Sequence, residues 1–105
     1  MAWIYLFAAG LLEIAWAAGL KASEGLTRPL VSAATLIAML GSIALLGLAM
    51  RSLPLSTAYA VWTGIGIVGT AVLGVMVLGE SLSPLRLLCV AAIAAGILGL
   101  KLLPS

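Results

Sequence analysis

The run AWIYLFAAGLLEIAWAAGL, residues 2–20, is apolar apart from a single charged residue, Glu13. At 1.5 Å of rise per residue, an α-helix of about 20 apolar residues crosses the ~30 Å hydrocarbon core of a bilayer. Glu13 falls near the middle of this run, where a charged side chain costs roughly 2.5–3.5 kcal/mol on insertion scales. Such residues generally face a cavity and bind protons, ions or substrates. The run therefore predicts a membrane-spanning helix with a functional carboxylate.

Three polar breaks, each containing a proline, divide the chain into four apolar segments. The predicted spans are about 2–20, 30–50, 55–78 and 85–103. Because the connections are short, neighbouring helices run antiparallel, and helices satisfy their own backbone polar groups in lipid. We therefore expect an all-α membrane protein in which residues 1–105 form a single domain of four transmembrane helices.

The composition supports this assignment and excludes several classes of function. Hydrophobic residues make up 65% of the 105 residues and charged residues 8%, compared with about 25% charged in soluble domains. Four spans leave no room for a nucleotide-binding module, so any energy source has to be an ion gradient. The few basic residues are scattered, which gives no basis for nucleic-acid binding. One cysteine, Cys89, and no histidine provide no metal-site spacing, so we expect neither a metal nor a cofactor.

Basic residues are distributed almost evenly between the two membrane faces. Arg51 and Lys101 lie on the face that bears both termini, and Lys21, Arg28 and Arg86 lie on the opposite face. This distribution gives almost no positive-inside bias, so the chain could insert in both orientations. Two copies could then pair as an antiparallel, dual-topology homodimer, which would create the inverted symmetry that larger transporters build from internal repeats.

Gly10, Glu13 and Trp16 share one face of the first helix. The small Gly10 leaves space for a ligand or lets helices approach, and Trp16 offers a π face to a cation held at Glu13. Two alternatives remain open. Glu13 could be a structural carboxylate paired with a buried base, although the basic residues all lie at or near span ends, and Trp16 could be an anchor at the membrane interface.

The second and third helices add candidate residues to the same site. Tyr59 and Trp62 lie on one side of the third helix and form an aromatic wall, although Tyr59 is close enough to water to belong to an aromatic belt. Hydroxyls in helices often bond to their own backbone, and we expect this of Ser32 and Thr35. Ser42 lies at mid-depth, and we expect it to hold the Glu13 carboxylate.

Small residues in the last two helices indicate bending and packing. Gly64 and Gly66 belong to a segment, GIGIVG, that matches a dinucleotide-binding fingerprint, but that motif requires a preceding strand. Inside a membrane helix they indicate a bend or a point of close packing. Small residues four apart on the fourth helix predict a helix–helix contact, which we assign to the contact between subunits. These residues are Ala92, Ala95, Gly96 and Gly99.

Several motifs resemble the small multidrug resistance family, and more closely its guanidinium-exporter subtype, over nearly the whole chain. They are GLLEIAWA (10–17), GLK (19–21), GLTR (25–28), SLP (52–54), TAYAVWTGIG (57–66) and GLK (99–101). Trp16 and Lys101 favour the guanidinium subtype over the drug-exporting one. The resemblance implies an antiparallel homodimer with a shared site that contains both Glu13 carboxylates and is lined by Trp16, Ser42, Tyr59 and Trp62. It also implies a multi-pass protein in the inner membrane of a prokaryote.

The mechanism expected from this site is exchange. A carboxylate that binds either a proton or an organic cation, and never both, makes the chain a proton-coupled antiporter, and guanidinium suits it because its planar N–H donors match a carboxylate. The alternative is a broad exporter of quaternary ammonium and other drug cations. An ion channel and a non-transporting assembly subunit remain as rivals. An enzyme is disfavoured because Glu13 has no nucleophile or metal beside it.

Overall fold

The computed structural model describes residues 1–81 and 83–103, and these residues form four α-helices. They are α1 (Ala2–Ala22), α2 (Pro29–Ala49), α3 (Leu55–Met76) and α4 (Pro84–Leu102). Each helix is long and apolar enough to cross a membrane. The prediction of an all-α protein with four transmembrane helices is therefore confirmed for the described residues, and each helix boundary lies within two residues of its predicted position.

Prolines and glycines set the helix ends. Pro29 and Pro84 each occupy the first turn of a helix, where the missing N–H leaves no hydrogen bond unmade. The third helix ends at Met76 rather than at residue 78. Beyond it the Gly74 carbonyl accepts hydrogen bonds from the backbone N–H of Leu78 at 3.2 Å and of Glu80 at 3.0 Å. Gly79, with a φ of +71°, provides the left-handed turn that closes this end.

The first helix packs against both α2 and α3, and its contact with α2 is the most extensive in the bundle. The apolar side chains that the fold buries come from the amino-terminal parts of α1 and α3 and the carboxyl-terminal part of α2. They are Leu6, Ala9, Leu46, Ala49, Ala58, Val61 and Trp62. Many large apolar side chains outside this core are exposed. In a membrane protein such side chains contact lipid or another subunit.

The fourth helix has a different environment from the other three. Among the described residues, the backbone of α4 lies close to that of α3 alone, and none of the α4 residues is buried. Gly64 of α3 makes this contact possible, because a Cβ at that position would lie within 2.9 Å of the Ile97 side chain. The described part of the backbone measures 43 × 35 × 16 Å, so the four helices form a thin layer.

Candidate functional site

Glu13 lies in a cleft between α1 and α3, and we call it the Glu13 cleft. Its volume is about 170 Å³. The first helix contributes the carboxylate and two neighbours, and the third helix contributes two threonines and two residues between them. The lining residues are Glu13, Trp16, Ala17, Thr63, Gly66, Ile67 and Thr70. The structure thus brings Glu13, Trp16 and Gly66 together in one cleft. The spacing on α1 had indicated that Glu13 and Trp16 share a face, whereas Gly66 had been predicted as a bend.

The cleft contains polar atoms that have no partner within the chain. In the part of the chain that the structure describes, four buried side-chain polar atoms make no hydrogen bond. Three of them line this cleft: Glu13 Oε1, Trp16 Nε1 and Thr63 Oγ1. A buried polar group without a partner is destabilising, and such groups are rare in folded proteins. Their concentration in one cleft indicates a site that a polar ligand completes.

Gly66 gives the Glu13 side chain its position. A Cβ at Gly66 would overlap the Glu13 carboxylate and lie within 3.0 Å of its Cγ. The glycine therefore lets the carboxylate lie directly against the backbone of α3. Gly10, by contrast, does not line the cleft. It is buried against Ile65, which a Cβ at Gly10 would approach to 2.6 Å, so the glycine permits the close packing of α1 on α3.

Ser42 binds different partners from the one expected. Its hydroxyl donates to the Ala9 carbonyl at 2.6 Å and accepts from the Trp62 indole N–H at 3.0 Å. The expected hydrogen bond to Glu13 is therefore wrong for this chain, because the hydroxyl has one hydrogen and the Ala9 carbonyl receives it. Ser42 instead joins all three helices of the bundle core. We call Ser42, Trp62 and Tyr59 the aromatic network.

Neither ring of the aromatic network lines the Glu13 cleft within one chain. Trp62 is 9% exposed, so little of its ring is available to a ligand, whereas Tyr59 is 53% exposed. The two rings meet edge to face with their centroids 5.5 Å apart. Contact of Tyr59 and Trp62 with a bound cation stays a prediction, and it requires a site shared with a second subunit.

The two hydroxyls expected to bond to their own helix behave differently. Thr35 donates to the Val31 carbonyl at 2.7 Å, as predicted. Ser32 does not, because its buried hydroxyl oxygen has no hydrogen-bond partner. Neither residue lines the Glu13 cleft.

Thr63 and Thr70 line the Glu13 cleft, although they were not among the predicted site residues. Their spacing of seven residues, with Gly66 between them, puts them on the face of α3 that meets Glu13. That spacing was the available signal. It carried little weight, since hydroxyls in helices usually bond to their own backbone, as Thr70 does to the Ile67 carbonyl at 3.1 Å.

A wider cavity of about 370 Å³ lies beside the Glu13 cleft. The two spaces share Ala17, Ile67 and Thr70. Lys21 and Glu80 line the far part of the wider cavity, at the end of the bundle that carries the first and third loops. The Glu13 cleft is thus adjacent to a cavity that charged groups line near one end of the helices.

Two further predictions, a bend in α3 and a subunit contact on α4, are not tested by the structure. The third helix continues as an α-helix through Gly64 and Gly66, which provide close packing, and a bend there stays a prediction. Ala92, Ala95 and Gly96 are exposed on α4. A Cβ at Gly96 or Gly99 would meet no atom within 4 Å. This face is open, and its use as a subunit contact stays a prediction.

Comparison with known proteins identifies relatives along almost the whole chain. The family described as Small Multidrug Resistance protein matches residues 1–93. A guanidinium exporter from Citrobacter freundii is 60% identical over 102 residues, which is 97% of each chain. A guanidinium exporter from Yersinia pseudotuberculosis is 61% identical over 102 residues, covering 97% of this chain and 98% of the relative. With the four-helix fold and the intramembrane carboxylate, these matches show that the chain belongs to the small multidrug resistance family.

Proposed function

We propose that this chain is a proton-coupled antiporter that exports guanidinium and small substituted guanidinium cations. The small multidrug resistance family is a family of transporters, which confirms the prediction that the chain is not an enzyme. Relatives about 60% identical to the chain are named guanidinium exporters. The observation that carries the proposal is the Glu13 cleft, a space of about 170 Å³ with three unpaired polar atoms.

Guanidinium matches the chemistry of this cleft. It is a small planar cation with N–H donors in its plane, which pair with the oxygens of a carboxylate such as Glu13. The Thr63 hydroxyl oxygen is available as a further acceptor. The Trp16 indole N–H is a hydrogen-bond donor, and guanidinium has no acceptor for it. In the cation-bound site the Glu13 carboxylate would therefore accept from this N–H. Trp16 would then both orient the carboxylate and offer the face of its ring system to the cation.

Exchange follows from competition for one carboxylate. A protonated Glu13 has lost the charge that holds a cation, and a cation-bound Glu13 has no free oxygen for a proton. Each ligand therefore leaves only when the other replaces it, which couples export of the cation to entry of protons. The adjacent cavity, which Lys21 and Glu80 line, would serve as the route between Glu13 and the water at one membrane face.

A second copy of the chain would complete the pathway. A layer 16 Å thick cannot enclose a route for a cation, and the exposed small residues of α4 offer a surface for close helix contact. The even distribution of basic residues allows both orientations, so the partner would be antiparallel and would bring a second Glu13 to a shared site. The relatives are bacterial, and coupling to a proton gradient favours the cytoplasmic membrane.

The second candidate function is a broad exporter of quaternary ammonium and other drug cations within the same family. A quaternary ammonium has no N–H to donate, so it would leave the Glu13 and Thr63 oxygens without partners. The small volume of the cleft also disfavours a bulky aromatic cation. Both features favour guanidinium.

An exchange assay tests the function directly. In proteoliposomes that hold a pH-sensitive dye, we expect a guanidinium gradient to drive protons in the opposite direction. Methylguanidinium should do the same, while a quaternary ammonium and a bulky aromatic cation should not. Equal exchange of the bulky cation would favour the multidrug exporter. Electrical current without proton movement would indicate a channel instead.

Cysteine labelling tests the dual topology. We replace Cys89 with Ala and introduce a single cysteine at Glu24, in the first loop, or at Ser52, in the second. Glu24 is exposed and pairs only with Arg28 on the surface, at 3.6 Å, so its replacement costs little stability. With both orientations present, each site should react with an impermeant reagent in about half of the molecules. Complete labelling at one site and none at the other would exclude the antiparallel homodimer.

A further inference from the structure

A second, larger groove lies between α1 and α4, and we call it the α1–α4 groove. Its volume is about 440 Å³. Phe7 and Ile14 of α1 form one wall, Ile97 and Leu98 of α4 form the other, and α3 forms the floor. The groove is open because the backbones of α1 and α4 are not in close contact in the described residues. It contains none of the residues of the Glu13 cleft.

Lys101 lies at one end of this groove and is its only charged lining residue. It belongs to the last turn of α4, at the expected depth of the lipid headgroups. Its Nζ lies 5.3 Å from the centroid of the Phe7 ring and 5.9 Å from that of the Trp3 ring. These cation–π contacts hold the ammonium over the end of α1, at the mouth of the groove, instead of leaving it extended into water.

We propose that the α1–α4 groove binds an anionic phospholipid, with one acyl chain along the apolar walls and the phosphate on Lys101. An apolar groove open to the bilayer suits an acyl chain. A single cation at headgroup depth complements the negative charge of a phosphodiester and gives a zwitterionic lipid less attraction. Lys101 would then act as a lipid-binding residue.

The position of the groove on α4 favours lipid over a second copy of the chain. With 3.6 residues per turn, Leu98 and Lys101 lie on the side of α4 opposite to Gly96 and Gly99. The small residues expected at the subunit contact therefore point away from the groove. A partner seated on them would leave the groove facing the bilayer.

Native mass spectrometry of the purified full-length protein tests this site. We titrate phosphatidylglycerol and phosphatidylcholine with identical acyl chains and count bound lipids. The wild type should bind phosphatidylglycerol about fivefold more tightly, the difference expected for one basic residue near a headgroup. Lys101→Gln should remove this preference and Lys101→Arg should retain it. Arg86→Gln is the matched control, because it removes a cation at the other end of α4 and should change nothing.

The Leu98→Trp variant tests the contribution of the apolar groove without changing the charge of Lys101. Leu98 is 61% exposed, and a larger side chain there would fill the groove without altering Lys101. Binding of both lipids should fall. A phosphatidylglycerol preference that survives Lys101→Gln would overturn the proposal. Loss of the dimer in Leu98→Trp, with lipid binding intact, would also overturn it and would identify a second copy as the occupant. Neither readout depends on guanidinium transport.

Discussion

Replacing Glu13 with Gln should abolish guanidinium-driven proton movement while leaving the protein folded. The amide keeps the shape of the side chain, but it carries no charge for the cation and does not exchange a proton at neutral pH. Removing one partner of a buried, hydrogen-bonded charge pair costs about 2–5 kcal/mol, which corresponds to roughly 30-fold to several thousandfold in binding. The measurement is initial proton flux on addition of guanidinium to proteoliposomes.

Glu24→Gln is the matched control for this variant. Glu24 lies in the first loop, exposed and paired with Arg28 at the surface, so its neutralisation should leave the flux unchanged. Equal elution volumes and melting temperatures for the two variants would show that both are folded. Coupled transport retained by folded Glu13→Gln would reject the central role of Glu13.

The helices could be predicted from sequence because length and polarity alone determine them. Runs of about 20 apolar residues must form helices in a bilayer, and the breaks at Pro29 and Pro84 define helix starts. The third helix was predicted two residues too long because Val77 and Leu78 are apolar. The helix ends because Gly79 adopts a left-handed conformation and the Gly74 carbonyl accepts two backbone hydrogen bonds. Hydropathy indicates neither feature.

The site could be predicted in part. Residues three apart on one helix lie on one face, and this periodicity correctly placed Trp16 beside Glu13. It does not state which helix lies opposite. Thr63 was therefore missed, and Ser42 was assigned to Glu13 although its hydrogen goes to the Ala9 carbonyl. A backbone acceptor is present at every position, so the sequence contains no signal for that choice.

Replacing Gly66 with Ala should impair transport strongly without unfolding the protein. The added Cβ would take the place of the Glu13 carboxylate, so the carboxylate has to move away from α3. Glu13 is a flexible side chain and can rotate, which keeps the cost in stability small. Its oxygens would then be misplaced relative to Thr63, and we expect guanidinium affinity to fall by about tenfold to a hundredfold, corresponding to about 1.4–2.8 kcal/mol. Isothermal titration of the purified protein measures this affinity.

Gly47→Ala provides the control for the added methyl group, because a Cβ at Gly47 of α2 would meet no atom within 4 Å. Alanine is also the better helix former, so this variant should bind guanidinium like the wild type and be at least as stable. A Gly66→Ala protein with a wild-type melting temperature and weakened binding would agree with a carboxylate that must lie against α3. If that folded variant bound guanidinium as tightly as the wild type, the position of Glu13 beside Gly66 and Thr63 would have no part in recognition. The cation would then have to bind Glu13 from the side of a second subunit, where the exposed Tyr59 ring is the available aromatic surface.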